Sequence, residues 1–584
     1  MKNKKSNTIL IIQGVLFIIL IIGAAYAYLG TFNINLNNNV AVNINSTSPG
    51  NLSFIANSTQ LNLQVPDTSM AQYNANNTVA AKEDTGFVDI TLTGAEGFLT
   101  TCSYDLVYEY NTNSDIYGKT VPVTTDATKE ITIEVNGMNG NNHFSVETNF
   151  NFDTSKGWSN ATSTKGAKVT LVTGATLKSL GTEQSVRWKV TGRYYNLDLN
   201  QYALSGKSFT GKIYVENVNC STEDGTTVKK GYETILANNG GKTAIDAKTT
   251  DFTTVEESNA GMYSYTEGTG KTYYYRGAVD NNWVKYGKFK EDQIVYRGFY
   301  DENSTDEMLY NSVTHQQNYT DYPTLAECQN SSSYNYKCKA VTYAYKGDDM
   351  YWRIIRVDKD NKIKMIYAGS KAPSENTKVA ITGANTNMGM TAYNNDYNHS
   401  EYVGFQYTTG SQRGTTTNST IKTYLDNWYT KYFNENIGTS RFVKSTFCND
   451  RNTSSTWVSR RNIDYAPYTR LFADTPTPTF ECNTADVVTN NFGLITADEI
   501  VLAGGKWNTD NSAFYLNNNM DYWAGSPLYF TGSRHSYVFV LNLDYGLTGQ
   551  EVQTLSGGAR GVVSLSSESK LLGSGTYNDV YIVE

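Results

Sequence analysis

Phe87-Val88-Asp89-Ile90-Thr91-Leu92-Thr93 alternates apolar and polar residues, the period of a half-buried strand whose successive side chains point to opposite faces. The same texture recurs in Tyr104–Tyr110, Glu130–Val135, Ala167–Val172, Ser185–Val190 and Gly211–Val218, with Gly, Asn, Asp and Thr clusters between the runs. Many short alternating strands punctuated in this way predict an all-β antiparallel sandwich, here assigned to residues 31–222. No helical pattern interrupts it.

Upstream, Lys2, Lys4 and Lys5 precede an apolar run from Ile9 to Ala27 broken only by Gln13. A basic flank followed by about 20 apolar residues predicts a signal peptide or transmembrane helix over 1–30, and the chain beyond Gly30 is expected outside the cell. Ala25-Tyr26-Ala27 offers a small-x-small cleavage site, so cleavage and membrane anchoring both stay open. The chain ends in the strand-like Val580–Glu584 without a sorting motif, so sortase attachment is not expected.

Downstream, residues 223–272 read as a linker with a short helix over Gly231–Lys248, and 273–584 change to mixed α+β texture. Met350–Val357, the polar Asp358-Lys359-Asp360-Asn361 and Lys362–Ala368 predict a hairpin. Ile421, Tyr424, Leu425, Trp428, Tyr429 and Tyr432 form one apolar helical face between Ser419 and Phe433. Thr496 and Glu499 have capping-box spacing, Ile495 and Ile500 can form a hydrophobic staple, and Gly504-Gly505 stops that helix. Tyr537–Leu543, Gly561–Leu565 and Asp579–Val583 read as closing strands.

The formal net charge of −8 argues against a nucleic-acid partner. Only 18% of the 584 residues are charged while 45 are Tyr, a β-rich extracellular composition rather than a disordered one. Six cysteines in an exported chain favour disulfides, and their spacing suggests sequential pairing: Cys102 with Cys220, Cys328 with Cys338, Cys448 with Cys482. With four histidines and no CxxC, no zinc site or other cofactor is expected.

Ala24-Ala25-Tyr26-Ala27-Tyr28-Leu29 followed by strands resembles the export signal of camelysin/TasA-type matrix proteins, which implies a jelly-roll sandwich and fibre assembly over about 1–220. Over about 273–584, Tyr274-Tyr275-Arg276-Gly277-Ala278-Val279, Leu425-Asp426-Asn427-Trp428-Tyr429, Phe447-Cys448-Asn449-Asp450-Arg451, Gly493–Glu499 and Tyr522-Trp523 resemble an uncharacterised family of exported proteins from low-GC gut bacteria. That family's C-terminal module is similar to the C-type-lectin-like fold of formylglycine-generating enzymes. Such modules close with Gly-Val-Arg-Pro; this chain has Ala559-Arg560-Gly561-Val562, with the arginine displaced and the proline absent. No cysteine pair matches the copper chemistry of those enzymes, so their activity is not carried over.

Cys448-Asn449-Asp450-Arg451 invites a thiol-nucleophile reading, but no histidine lies near it in sequence, and a structural disulfide is expected. The acidic runs Asp301–Asp306, Asp348-Asp349 and Asn394-Asn395-Asp396 are read as solvated turns rather than calcium ligands. Ser526-Pro527 and Gly532-Ser533 predict an irregular exposed loop carrying Tyr529, Arg534 and His535, the candidate ligand-binding residues, while Trp523 is assigned to the core. The expected protein is a cell-surface adhesin that binds an extracellular ligand, a glycan or a host protein, through a lectin-like head on a β-sandwich stalk. A matrix or fibre subunit and an exported enzyme are the alternatives.

Overall fold

The computed structural model describes residues 52–66, 82–94, 97–116, 131–139, 168–181, 183–195, 204–224, 228–256, 260–299, 319–331, 338–434, 441–453, 455–532, 534–542, 544–555 and 557–584, with strands at 32–36, 42–45, 120–122 and 142–152. The expected N-terminal helix and the acidic run 301–306 lie outside these residues. Among the described residues, no helix is long and apolar enough to cross a membrane. The chain divides into two compact units, the first reaching to Val228 and the second running from Lys229 to Val583.

The first unit is built from β1 (Phe32–Leu36), β2 (Val42–Asn45), β3 (Leu52–Ala56), β4 (Thr59–Gln64), β5 (Lys82–Thr93), β6 (Phe98–Tyr110), β7 (Thr120–Pro122), β8 (Ile131–Asn139), β9 (Asn142–Phe152), β10 (Lys168–Ser179), β11 (Glu183–Tyr194) and β12 (Ser208–Asp224). They form a seven-stranded sheet, β1-β3-β5-β11-β8-β9-β7, and a five-stranded sheet, β10-β6-β12-β2 with β4 on β12. In β5 the alternation sorts as read: Val88, Ile90 and Leu92 are fully buried while Phe87 is exposed. The two sheets meet through aromatic side chains, with Phe54 of β3 against Tyr104 of β6 and the Trp188 indole donating to the Tyr104 hydroxyl at 3.0 Å. Cys102 and Cys220 stand opposite each other in the β6–β12 register and form a disulfide.

The second unit contains β13 (Gly261–Glu267), β14 (Gly270–Arg276), β15 (Trp283–Phe289), β16 (Gln293–Phe299), β17 (Tyr319–Tyr322), β18 (Cys338–Ala344), β19 (Asp349–Val357), β20 (Ile363–Gly369), β21 (Ile463–Asp464), β22 (Tyr522–Thr531), β23 (His535–Asn542), β24 (Gly546–Glu551), β25 (Val562–Leu565), β26 (Leu571–Leu572) and β27 (Tyr581–Val583). Its helices are α1 (Gly231–Asn238), α2 (Gly241–Asp246), α3 (Leu325–Asn330), α4 (Thr420–Tyr432), α5 (Ala466–Leu471) and α6 (Ala497–Leu502). A nine-stranded sheet runs β13-β14-β19-β15-β27-β26, with β20 on β19, β25 on β20 and the short strand Phe433–Asn434 on β15. Smaller sheets follow: β17-β16-β18 and β21-β22-β23-β24.

The hairpin read from 350–368 is β19–β20, its turn held by Asp358 Oδ1 accepting from the amides of Asp360 and Lys362. Both strands are buried almost throughout, which is why their sequence is a near-continuous apolar run instead of an alternation. The expected linker supplies core: Ile235, Leu236 and Ile245 of α1 and α2 pack into the main cluster of this unit. β15 pairs in parallel with β27, so one of the unit's early strands lies beside its last. Arg560, displaced from the motif of the resembling modules, is buried and donates to the carbonyls of Tyr367 and Leu516, while β25 closes the sheet.

The expected binding loop is overturned. Residues 526–537 are not an irregular exposed loop: β22 continues through Pro527 to Thr531, and the link to β23 is only Gly532-Ser533-Arg534. The register shifts on both sides of Pro527. Proline disrupts a ladder least where a bulge already interrupts the hydrogen bonding, so Pro527 marks a bulge here and not a loop.

Candidate functional site

The second unit contains a cleft of about 990 Å³ between β17, α3, the 390–396 segment and the start of α4. By contrast, a void against Phe514 and Met520 holds about 10 Å³, space for about one water.

Helix α4 explains how the sequence builds one cleft wall. Ser419 caps it, accepting from the Lys422 amide at 3.3 Å. Ile421, Leu425 and Trp428 bury the inward face. Thr420, Thr423 and Asn427, spaced i, i+3 and i+7, fall on the other side and line the cleft. Tyr424 sits between the two faces. Its hydroxyl donates to the Met388 carbonyl at 3.0 Å, and burial raises its pKa. That path runs over Gly389, at φ 143°, where a Cβ would stand 1.9 Å from the Tyr424 hydroxyl. A side chain at 389 has to displace Tyr424.

The opposite wall rests on a buried ion pair. Arg297 grips Asp321 through two hydrogen bonds of 2.8 Å, lies over the Tyr319 ring at 3.7 Å, and shares Asp321 with the Tyr343 hydroxyl. Burial alone lowers the arginine's pKa, but the Asp321 contact outweighs it and raises it. The Cys328–Cys338 disulfide ties α3 to β18 beside this pair, and the Tyr322 hydroxyl donates to Ser331 Oγ at 2.9 Å. On the third side, Asn394 is buried, donates to the Tyr402 carbonyl and accepts from the Asp396 amide. Asp396 Oδ2 accepts from the Tyr407 hydroxyl at 3.1 Å; burial first, then this carboxylate, pushes the Tyr407 hydroxyl up to about 12.

The residues expected to bind ligand lie elsewhere in this unit. Tyr529 is half-buried in an aromatic cluster, 4.6 Å from Tyr537 and 5.7 Å from Tyr468 between ring centroids. His535 Nδ1 lies 3.1 Å from Glu551 Oε2 and its ring stacks on Tyr397 at 5.6 Å. Arg534 is exposed at the hairpin tip with φ 92°. These side chains share one hairpin in different roles: one packs, one is paired, and one is a turn residue. Trp523 is in the core, donating to the Thr391 carbonyl.

Cys448 is bonded to Cys482, so no thiol is available at the Cys448-Asn449-Asp450-Arg451 motif. Arg451 is buried against Asp486, and Asp450 pairs with Arg470 at 2.5 Å. Burial raises the Asp450 carboxyl, partly opposed by Arg470. The motif is a folding joint. Asp348 and Asp349, expected in a solvated turn, are buried instead: Asp349 pairs with Lys288 at 2.7 Å, and Asp348 accepts from the Tyr345 amide. The one carboxylate–imidazole contact next to the cleft segment, His399 with Glu401, has its outer nitrogen occupied by Arg460 at 2.9 Å.

No protein-family model matches the chain, and no curated protein matches it. The apolar face of α4 marks only its inward side, and the cleft lies on the polar side opposite. The run Asn394-Asn395-Asp396 was noticed but assigned to solvent. The signal that could have found the cleft-lining residues is Thr420, Thr423 and Asn427 at helical spacing opposite Ile421, Leu425 and Trp428.

Proposed function

We propose that this protein is a bacterial cell-surface adhesin or ligand-binding protein, exported by its N-terminal segment, whose head binds an extracellular ligand in the cleft between β17, α3 and α4. Its three disulfides suit an oxidising, extracellular setting. The head is read as a C-type-lectin-like module covering 273–584, and the β-sandwich as the stalk. The observation that carries the reading is the cleft itself. Its volume of about 990 Å³ reaches the upper end of the range of small-molecule and cofactor sites, and hydrogen bonds within the protein fix several of its wall residues in advance.

The test is a binding screen of the full-length chain against glycans and host proteins, repeated with Thr423→Trp and Asn427→Trp. Both positions are exposed on α4, so the indoles fill the cleft without entering the core. At least a tenfold loss of binding with unchanged circular dichroism is expected. Full binding by both filled variants removes the cleft from the reading.

A further inference from the structure

We infer that the cleft takes an uncharged or amine-bearing carbohydrate chain and turns away carboxylated or sulfated ones. The inference rests on the cleft being the ligand site and adds the chemistry of what enters it.

Among the described residues, twenty line the cleft, and only Pro323, Met390 and Leu555 are aliphatic in character. Ligand sites are ordinarily lined mainly by apolar side chains with a few polar groups; most side chains here carry a polar group, and the exposed lining is shared almost evenly between polar and apolar atoms. A lipid tail or apolar peptide anchor would leave its hydrogen-bonding walls unsatisfied on entry, which is costly. A polyol offers donors and acceptors along its whole length and matches them.

The balance of donors and acceptors narrows the class further. The hydroxyl protons of Tyr322, Tyr407 and Tyr424 are already given to Ser331, Asp396 and the Met388 carbonyl. With those protons committed, the hydroxyl oxygens are left as acceptors. The remaining neutral donors include the side-chain amides of Asn395 and Asn427, and Leu555, 46% exposed, adds an apolar edge suited to the C–H face of a sugar ring.

Charge decides the rest. Among the described residues the lining includes no Lys, Arg or His, but it does include Asp321, Glu327 and Asp396. Asp321 is offset by Arg297. Glu327 and Asp396 are exposed carboxylates whose recorded hydrogen bonds come from neutral groups, the Thr324 hydroxyl and the Tyr407 hydroxyl. A carboxylate accepts strongly from sugar hydroxyls or an ammonium group. It repels an anion, and no cationic side chain in the lining compensates.

A glycan array in which neutral structures sit beside their sialylated and sulfated counterparts tests this with the full-length chain. The bound structures should be neutral or amino sugars, with the acidic counterparts at least tenfold weaker at low ionic strength. The Asp396→Asn/Glu327→Gln variant should cut that discrimination below threefold, because both carboxylates are exposed and their removal leaves the Arg297–Asp321 pair in place. Preferential binding of acidic glycans, absence of any glycan binding, or tenfold discrimination surviving in the double variant overturns the inference. If an acidic glycan or a protein binds and Asn427→Trp abolishes it, the cleft stands as the site and only the ligand class falls.

Discussion

The two compact units place their charges in different environments. In the first, among the described residues, ion pairs lie on the outer faces of strands: Arg187 with Asp89, and Arg193 with Glu83 and Glu134. The second has exposed pairs too, such as Lys230 with Glu568, but it also buries ion pairs: Arg451 with Asp486, both at 0% exposure, Arg297 with Asp321, and Arg356 with Glu499. The first unit has long strands, β6 and β12 pairing over most of their length, so backbone groups satisfy one another and the interior can be apolar and aromatic. The second has short strands and long irregular connections whose carbonyls need donors inside. Arg353 shows the device: it donates to Asn282 and to the Val279 carbonyl, stacks on Trp283 at 4.0 Å, and burial pushes its pKa down to about 9. Regular pairing in one unit and buried cations in the other solve the same problem of unsatisfied backbone.

The largest effect expected is in the first unit. Replacing Cys102 and Cys220 together with Ala opens a loop of sequence separation 118 and should destabilise by about 5 kcal/mol on the chain-entropy model. Hydrogen exchange should show protection lost in β6 and β12 and kept in β19 and β20. Equal loss in both units would mean that the contrast drawn here is not one of separate stabilities.

Next, Glu499→Gln should destabilise the second unit by about 3–4 kcal/mol, because it leaves Arg356 and Lys364 buried without their counter-charge. Gln at this position can still complete the capping box with Thr496, so the loss isolates charge. The same residue sets a pH signature. Burial alone would raise the Glu499 carboxyl, but Lys364 and Arg356 outweigh it and lower its pKa below the ordinary glutamate range. A depressed carboxyl contributes stability above its unfolded value, which is lost as the pH falls through the folded one. Acid titration followed by fluorescence should show this loss in the native protein and a flatter profile in Glu499→Gln.

Tyr529→Ala should cost about 2 kcal/mol of stability, since the ring packs on Tyr468 and Tyr537. It should leave ligand affinity unchanged. Thermal unfolding beside a binding titration checks both, and a loss of affinity without loss of stability would return the binding face to β22.

The smallest effect concerns the tip of the same hairpin. Arg534 has φ 92°, a conformation that favours glycine, so Arg534→Gly should be neutral or stabilising by up to about 1 kcal/mol in thermal denaturation.

The elements legible in the sequence were those governed by neighbours along the chain. The period of Phe87–Thr93, the Thr496 to Glu499 cap and the Ser419-capped face of α4 each involve residues a few positions apart, and each appears as read. Pro527 misled because proline's meaning depends on whether a bulge accepts it, and a bulge is defined by the partner strand, not by the chain around it.

What the sequence determined by itself was a β-rich chain with three sequentially paired disulfides, because strand period is local and the pairing follows the order of the cysteines along the chain. The cleft was decided only by the tertiary structure. It joins Asp321, Asp396 and Asn427, which are about a hundred positions apart from first to last, and its walls are the faces left over after the apolar faces have packed. Hydrophobic periodicity identifies the side of an element that goes inward. Which outward sides then confront one another across a gap depends on the packing of separate elements, and no spacing within one element encodes it.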